Sequence, residues 1–264
     1  MTIRAMNTAT TGMTAMMNKI DTISNNLSNV NTWGFKKTRV NFQDLMYQHL
    51  KDAGFTSSAS SARQPSGIEI GLGVKLVSTQ KMFTQGSLVQ TDNQFDMAIL
   101  GDGFFKVILP DGTIGYTRDG SFRVDGTGAM VNNSGLYLEP RLSIPENVTK
   151  INVSVDGIVE GEIPGEQAPV SLGEVTITRF INSGGMKSLG DNLYIPTEAA
   201  GQPLEGQPGT EGRGVINQYM LEASNVNVVE ELVDMISTQR AYEINANSIQ
   251  TADSMMQTIN NLKR

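Results

Sequence analysis

Glycine and proline are concentrated in the middle of this 264-residue chain and are nearly absent from its two ends. All nine prolines lie between Pro65 and Pro208, and 24 of the 27 glycines lie between Gly67 and Gly214. Helices exclude proline and tolerate glycine poorly, whereas turns require both. The distribution therefore predicts an α+β fold, with a helix at each end of the chain and a β-rich region between the two helices.

Apolar side chains recur at helical spacing in both terminal segments, in steps of three and four residues. The residues that we expect at a helix interface in the N-terminal segment are Ile3, Met6, Met13, Met17, Ile20, Ile23, Leu27 and Val30. Those in the C-terminal segment are Val228, Leu232, Met235, Tyr242, Ile249, Met256 and Ile259, with a change of phase after Ile249. Ser224 is the expected N-cap of the second helix. We predict that the two helices pair as a coiled coil around the discontinuous β-rich middle.

The remaining faces of both segments carry many asparagines, of which Asn25, Asn26 and Asn29 are further expected interface residues. A solvated helix face usually carries glutamate and lysine, and asparagine is a poor helix former. Eight of the 14 methionines also fall in these segments, and methionine adapts to non-identical neighbours. We therefore predict packing between molecules, with ends that are partly disordered in the monomer and fold on assembly. An intramolecular helix pair on a globular core is the alternative.

The middle of the chain contains five Asp-Gly dipeptides, which are hairpin or turn signals. Residues 104–109 predict a central strand, and the middle as a whole predicts antiparallel β structure, either a sandwich or an irregular barrel. Before it, Lys36, Lys37 and Arg39 predict a small basic patch. The stretch that contains Phe42, Leu45, Met46 and Leu50 predicts one or two amphipathic helical turns, and Thr56–Ser66 predicts an extended linker or exposed hairpin. The expected domains are residues 1–35, 36–70, 71–221 and 222–264.

Residues that carry chemistry are scarce in this sequence. It has no cysteine and one histidine, so thiol nucleophiles, cysteine-ligated metals and histidine clusters are excluded. The net charge of −7 argues against a nucleic-acid partner, and the sequence shows neither a membrane-length apolar run nor a secretory signal pattern. Nucleotide-binding loops, a complete calcium loop and a nucleophile elbow are also missing. We expect no cofactor and no metal, and His49 is expected at the surface. A β-domain hydrolase with helical arms is kept as the enzymatic alternative, because the fold can bring two carboxylates together as a catalytic pair even when they are far apart in the sequence.

Three motifs in order along the chain resemble those of the bacterial flagellar rod and hook proteins. Residues 24–36 read SNNLSNVNTWGFK, in which serine replaces the usual alanine at Ser24 and Ser28. Residues 224–233 and 239–243 resemble the C-terminal signature of that family, and residues 103–105 and 116–122 resemble its β-domain motifs. The motif residues that we expect to matter are Trp33, Gly34, Phe35, Lys36, Gly103, Phe104 and Phe105.

The resemblance implies a structural rather than an enzymatic role. The chain length and residues 42–48 and 65–74 are most similar to distal rod members, and hook or proximal rod members are the alternatives. Members of this type are expected to polymerise with themselves into a hollow helical shaft that transmits torque. Implied partners are proximal rod subunits, hook subunits and the surrounding outer-ring proteins. The implied location is the periplasmic rod of the basal body, reached by flagellar type III export.

Overall fold

The computed structural model describes residues 2–51, 66–165 and 168–262. A long helix lies at each end, α1 (Thr2–Ser28) and α2 (Val228–Leu262), and the residues between them form strands and two short 3₁₀ turns. The α+β prediction with terminal helices is confirmed. Neither helix has, in its described residues, the apolar length that a membrane-spanning helix needs.

Twenty strands are present in the described part of the chain. They are β1 (Thr38–Asp44), β2 (Tyr47–Lys51), β3 (Ile68–Gly71), β4 (Val74–Lys81), β5 (Leu88–Gln90), β6 (Met97–Leu100), β7 (Phe105–Ile108), β8 (Ile114–Thr117), β9 (Phe122–Val124), β10 (Met130–Asn132), β11 (Tyr137–Glu139), β12 (Lys150–Val153), β13 (Ile158–Glu162), β14 (Val170–Glu174), β15 (Ile177–Arg179), β16 (Lys187–Gly190), β17 (Leu193–Ile195), β18 (Leu204–Gly206), β19 (Val215–Gln218) and β20 (Met220–Glu222).

The chain divides into two compact units. The first, here called the helical unit, falls within Met1–Leu27, Thr38–Gln80 and Val228–Arg264. The second, here called the strand unit, comprises Ser28–Lys37 and Lys81–Asn227. Each unit is therefore built from segments that are distant in sequence, so neither can form until the chain has closed long loops.

The strand unit is organised around a seven-stranded antiparallel sheet with strand order β16-β17-β8-β7-β11-β10-β9. Strand β7 lies at its centre, as the sequence predicts. Three of the Asp-Gly dipeptides, beginning at Asp111, Asp125 and Asp156, form the turns that join paired strands: β7 to β8, β9 to β10 and β12 to β13. Alternation places Phe105 and Val107 on the buried face of β7.

Two buried clusters stabilise the strand unit. The larger is aliphatic and aromatic and includes Met97, Phe105, Phe122 and Leu138, none of which is measurably exposed. The smaller is aromatic: Phe104, Tyr116, Phe180 and Tyr194 pack edge to face with one another and with Phe83. Edge-to-face aromatic pairs add about 0.5–1.5 kcal/mol each beyond the burial of their area. The strand unit thus has a dense core of its own.

The helical unit contains α1, α2 and two short ladders, β1 with β4 and β2 with β3. The prediction of helical turns around Phe42 and Leu50 is wrong, because these residues lie in β1 and β2. The backbone N–H of Leu45 donates to the carbonyl of Gly73, 2.8 Å away, which holds the segment extended. The linker predicted at Thr56–Ser66 lies, apart from Ser66, outside the described residues.

Both helix boundaries differ from the prediction. Helix α1 ends at Ser28, so Asn29 and Val30 follow the helix instead of continuing it. Helix α2 begins at Val228, four residues after the predicted cap Ser224. The intervening backbone is held extended, because the side-chain amide of Asn225 donates to the carbonyl of Met82 (2.8 Å) and accepts from the backbone N–H of Lys37 (2.7 Å).

Candidate assembly interfaces

Two contacts within the helical unit show that α1 and α2 run antiparallel. The amide nitrogen of Asn26 donates to the Oε2 atom of Glu231, 3.2 Å away. At the other end, a Cβ placed on Gly12 would lie 3.1 Å from the amide nitrogen of Asn245. Residue numbers therefore fall along α1 as they rise along α2. Glycine at position 12 provides the space that the Asn245 side chain occupies.

The face of α2 that is turned inward repeats in strict steps of four and three residues. Its buried or half-buried members are Glu231, Met235, Thr238, Tyr242, Asn245, Ile249, Ala252 and Met256. The predicted change of phase after Ile249 is therefore wrong. Sequence periodicity followed apolar residues only, whereas every second position of this seam is polar or small. Polar groups at such positions specify the register and orientation of a helix pair at some cost in stability.

On α1 the corresponding buried polar group is Asn26, which is only 2% exposed. Its carbonyl oxygen accepts from the backbone N–H of Thr38, and its amide nitrogen donates to the carbonyl of the same residue, both at 2.9 Å. The remaining amide hydrogen reaches Glu231. One asparagine thus ties α1 to the start of β1 and to the first turn of α2.

The outward face of α2 is apolar at its start. Leu232, Val233 and Ile236 are 41%, 60% and 52% exposed, and Ile244, also exposed, lies on the same side of the helix as Val233. A helix at a protein surface normally carries charged residues on this side. A contiguous exposed apolar surface marks an interaction site. The helical unit therefore presents a face suited to packing against another protein surface.

The predicted interface residues differ in how deeply the structure buries them. Ile23 and Asn26 are buried, whereas Met6, Met13, Ile20, Leu27, Met235, Tyr242, Ile249 and Met256 are half-buried. Exposed members are Met17, Asn25, Val228, Leu232 and Ile259. Asn29 and Val30 are half-buried and belong to the strand unit. The side chain of Ile3 lies outside the described part.

The predicted basic patch at residues 36–39 is wrong at its first member, because Lys36 is fully buried in the strand unit. Its ammonium donates to the Oε1 atom of Glu222 at 2.6 Å and to the carbonyl of Thr84 at 2.8 Å. The second carboxylate oxygen of Glu222 lies 3.5 Å from a guanidinium nitrogen of Arg118. Lys36, Glu222 and Arg118 form what we call the buried ion cluster, in which one carboxylate is shared by two cations.

Backbone groups add further hydrogen bonds to this cluster. The guanidinium of Arg118 donates to the carbonyls of Ile99 (3.3 Å) and Gly101 (2.7 Å), and the backbone N–H of Gly86 donates to Glu222 (2.8 Å). Burial lowers the pKa of the Lys36 ammonium, and the charge of Glu222 opposes that shift. Buried charges are tolerated only when they are paired and hydrogen-bonded in this way. The cluster holds the segment that follows α1 beside the segment that precedes α2.

The other residues of the N-terminal motif also attach the segment after α1 to the rest of the strand unit. Gly34 has a φ of +67°, and a Cβ there would lie 2.6 Å from the backbone nitrogen of Asp119, so only glycine fits. Its N–H donates to the carbonyl of Glu222 at 2.8 Å. Phe35 is buried, with the Lys81 ammonium 4.9 Å from its ring centre, and the Trp33 carbonyl accepts from Asn192 at 2.9 Å.

Sequence reasoning did not single out Glu222 or Arg118. They lie 186 and 82 residues from Lys36, and spatial pairing over such separations leaves no periodic signal. Arg118 does lie within the quoted motif at residues 116–122, and Glu222 lies two residues before the C-terminal motif. Among the described residues, no group of three or more side chains could hold a metal ion. His49 is at the surface, as predicted, with its Nδ1 atom 3.2 Å from Glu69.

Comparison with known proteins identifies the family. Three family models match: "Flagella basal body rod protein" over residues 6–36, "Flagellar hook protein FlgE/F/G D1 domain" over residues 98–161, and "Flagellar basal body rod FlgEFG protein C-terminal" over residues 217–262. The chain is similar to the flagellar basal-body rod protein FlgG of Buchnera aphidicola subsp. Acyrthosiphon pisum, at 50% identity over 96% of both chains. It is also similar to the proteins of that name from Borreliella burgdorferi (47%, 99% of both) and Bacillus subtilis (33%, 99% of this chain and 100% of the relative). The chain therefore belongs to the FlgG family of flagellar basal-body rod proteins.

Proposed function

We propose that this chain is the structural subunit of the flagellar distal rod and polymerises with itself into the hollow shaft that carries torque from motor to hook. The observation that carries the proposal is the helical unit, in which polar or small residues occupy every second position of the inner seam and large apolar residues are exposed on the outward face. Burial of apolar surface is the main driving force for association. Packing against further copies of the chain would remove this face from water.

The expected domains take their roles from this arrangement. Residues 1–35 and 222–264 would build the inner helical wall, with coiled-coil packing between their helices. Residues 71–221 would form the outer part, and residues 36–70 would brace neighbouring subunits. An open helical polymer needs heterologous contacts, in which one surface meets a different surface on the next copy. Proximal rod subunits, hook subunits and the outer-ring proteins would adjoin the ends and outside of the polymer, after export through the flagellar type III apparatus.

The alternatives receive less support. Relatives of 33–50% identity that span nearly the whole chain carry the name of a rod protein, not of a hook protein or an enzyme. The buried ion cluster contains the most densely grouped charges described above, but Lys36 and Glu222 are inaccessible to any substrate. A hydrolase with helical arms would need exposed polar groups that converge in a cleft.

Cryo-electron microscopy of purified basal bodies tests the proposal. We expect density for α1 and α2 of this chain in the inner wall of the shaft, between the proximal rod and the hook. Density for the chain in the curved hook or next to the membrane would show that the assignment to the distal rod is wrong. Absence of the chain from the basal body would overturn the structural role itself and reopen the enzymatic alternative.

A further inference from the structure

We infer that the apolar start of α2 in one copy docks into a groove at the opposite end of the helix pair in the next copy. The docking element, called the α2 stripe, consists of Leu232, Val233 and Ile236. The receiving surface, called the helix-pair groove, lies beside Ala5, Ser248, Thr251 and Ala252. This inference rests on the proposed function and adds to it the two surfaces that meet.

The helix-pair groove is a cavity of about 470 Å³ in the helical unit, lined by residues from both helices. Ala5 supplies its α1 side, and Ser248, Thr251 and Ala252 are three of the six residues on its α2 side. These side chains are short, so they leave an open furrow where two helices meet. Met255 and Ile244 make its edges apolar. Branched aliphatic side chains from a third helix have the size and polarity to fill such a furrow.

The α2 stripe has the complementary form. Leu232, Val233 and Ile236 are branched, exposed and arranged within slightly more than one helical turn. They lie close together on one helix, so a single surface can bury all three. Burial of these three side chains against another surface removes their apolar area from water, which favours association.

Charge supports the same pairing. Glu230 and Asp234 are exposed on the flank of the α2 stripe, beside Val233. Arg4 is exposed and lines the cavity that adjoins the groove through Ala5 and Ser248. When the stripe of one copy enters the groove of another, acidic side chains therefore approach a basic one. Complementary charges of this kind fix orientation and register more than they add affinity.

One copy cannot satisfy its own groove. Val233 and Ser248 lie on the same helix, and at 1.5 Å per residue they are about 22 Å apart along its axis. The stripe and the groove are thus at different ends of one helix. Contacts between them must join different copies, and each copy keeps one unused stripe and one unused groove. Repetition of this contact produces an open polymer rather than a closed dimer.

The absence of cysteine from the chain permits a direct test. The full-length double variant Val233→Cys/Ser248→Cys is concentrated, oxidised mildly and run on a non-reducing gel, with electron microscopy of the same sample. A disulfide forms only when the two Cα atoms come within about 7 Å. We expect a ladder of cross-linked dimers, trimers and higher species. The matched control is Val233→Cys/Gln250→Cys, because Gln250 is exposed on the other side of α2 and should give at least tenfold less cross-linking.

A charge reversal provides a second arm that needs no cross-link. Arg4→Glu should weaken self-association at least tenfold by sedimentation velocity, and the addition of Glu230→Arg and Asp234→Arg should restore most of it. Lys187→Glu, in the exposed strand β16 of the strand unit, should have no effect.

The outcomes separate this inference from the proposed function. Polymers that form without preferential 233–248 cross-linking, or without charge rescue, would overturn the stripe-to-groove contact and leave the rod proposal intact. A chain that forms no polymer at any concentration tested would contradict both.

Discussion

The two units of this molecule differ in where their apolar side chains lie. In the strand unit, Phe105, Phe122 and Leu138 are enclosed completely, and even the charged Lys36 is buried against a partner. In the helical unit, by contrast, the inner seam alternates large apolar residues with Glu231 and other polar or small ones, and further large aliphatic side chains face outward. The strand unit thus encloses a large core within the monomer, whereas the helical unit leaves much of its own apolar surface exposed.

This difference shows how one chain can be both a stable building block and a polymer subunit. A dense private core makes the strand unit insensitive to its surroundings. A helix pair whose seam alternates large apolar residues with polar or small ones has a defined register but only a narrow core of its own. Such helices suit both export and assembly, because they can gain most of their stabilisation when they pack against other subunits in the polymer.

The largest expected effect falls on the buried ion cluster. Glu222→Gln leaves the ammonium of Lys36 and the guanidinium of Arg118 buried without a counter-charge, and breaking a buried group in this way costs about 3–5 kcal/mol. The loss of unfolding free energy is measured by denaturant titration with tryptophan fluorescence as the signal, since Trp33 belongs to the strand unit. As a control, Lys106→Met removes the ion pair to Glu205, which is 42% exposed, and should cost less than about 1 kcal/mol. Equal losses of unfolding free energy in the two variants would show that the buried cluster contributes no more than an exposed ion pair.

Gly34→Ala should have the next largest effect on the strand unit. The new methyl group would meet the backbone of Asp119 in a conformation with positive φ, and we expect a loss of about 2–3 kcal/mol. Gly112→Ala is the matched control, because Gly112 has a φ of +79° with open space around it. Its cost should be limited to about 1 kcal/mol of backbone strain. Thermal unfolding compares the two, and indistinguishable melting temperatures would argue against the close approach at Gly34.

Asn26→Ala tests the polar seam of the helical unit. The substitution leaves the backbone N–H and C=O of Thr38 without their partner, at an expected cost of about 1–3 kcal/mol. Asn7→Ala changes an exposed asparagine on the same helix and should be neutral or slightly stabilising, since alanine is the better helix former. Circular dichroism reports helix content during a urea titration and so compares the stabilities of the two variants. An Asn26→Ala variant as stable as Asn7→Ala would mean that the seam does not depend on this contact.

The smallest effect on the monomer, with the largest effect on assembly, is expected for Ile236→Asp. Ile236 faces outward, so the free energy of unfolding should change by less than about 0.5 kcal/mol. In a polymer the new carboxylate would be buried without a partner, and filaments should be lost. Melting curves and electron micrographs of the same preparation test both parts. Normal filaments from this variant would place the assembly surface elsewhere.

Local signals predicted local structure well in this chain. The Asp-Gly turns at Asp111, Asp125 and Asp156 and the central strand at Phe105 follow from rules that act over a few residues. The terminal helices follow from the distribution of glycine and proline. Each of these features depends on backbone preferences that the neighbouring residues determine almost alone.

Features that depend on distant contacts could not be predicted. Apolar periodicity in α2 pointed to Val228 and Leu232, because apolar residues lie on both of its faces and the inward face contains Thr238 and Asn245. The buried position of Lys36 depends on Glu222, far away in the sequence. The start of α2 was misplaced for the same reason, since the segment before it is held extended by contacts with residues from other parts of the strand unit.

Hydrogen exchange measured by mass spectrometry, on the full-length monomer and on the assembled polymer, tests the central claim most directly. We predict that amides of residues 228–262 and 5–27 exchange at least a hundredfold more slowly in the polymer, whereas amides in the core strands of the strand unit are protected equally in both states. This result would show that the helical unit gains its stability from assembly. Helices protected as strongly in the monomer as the central strand β7 would contradict the account.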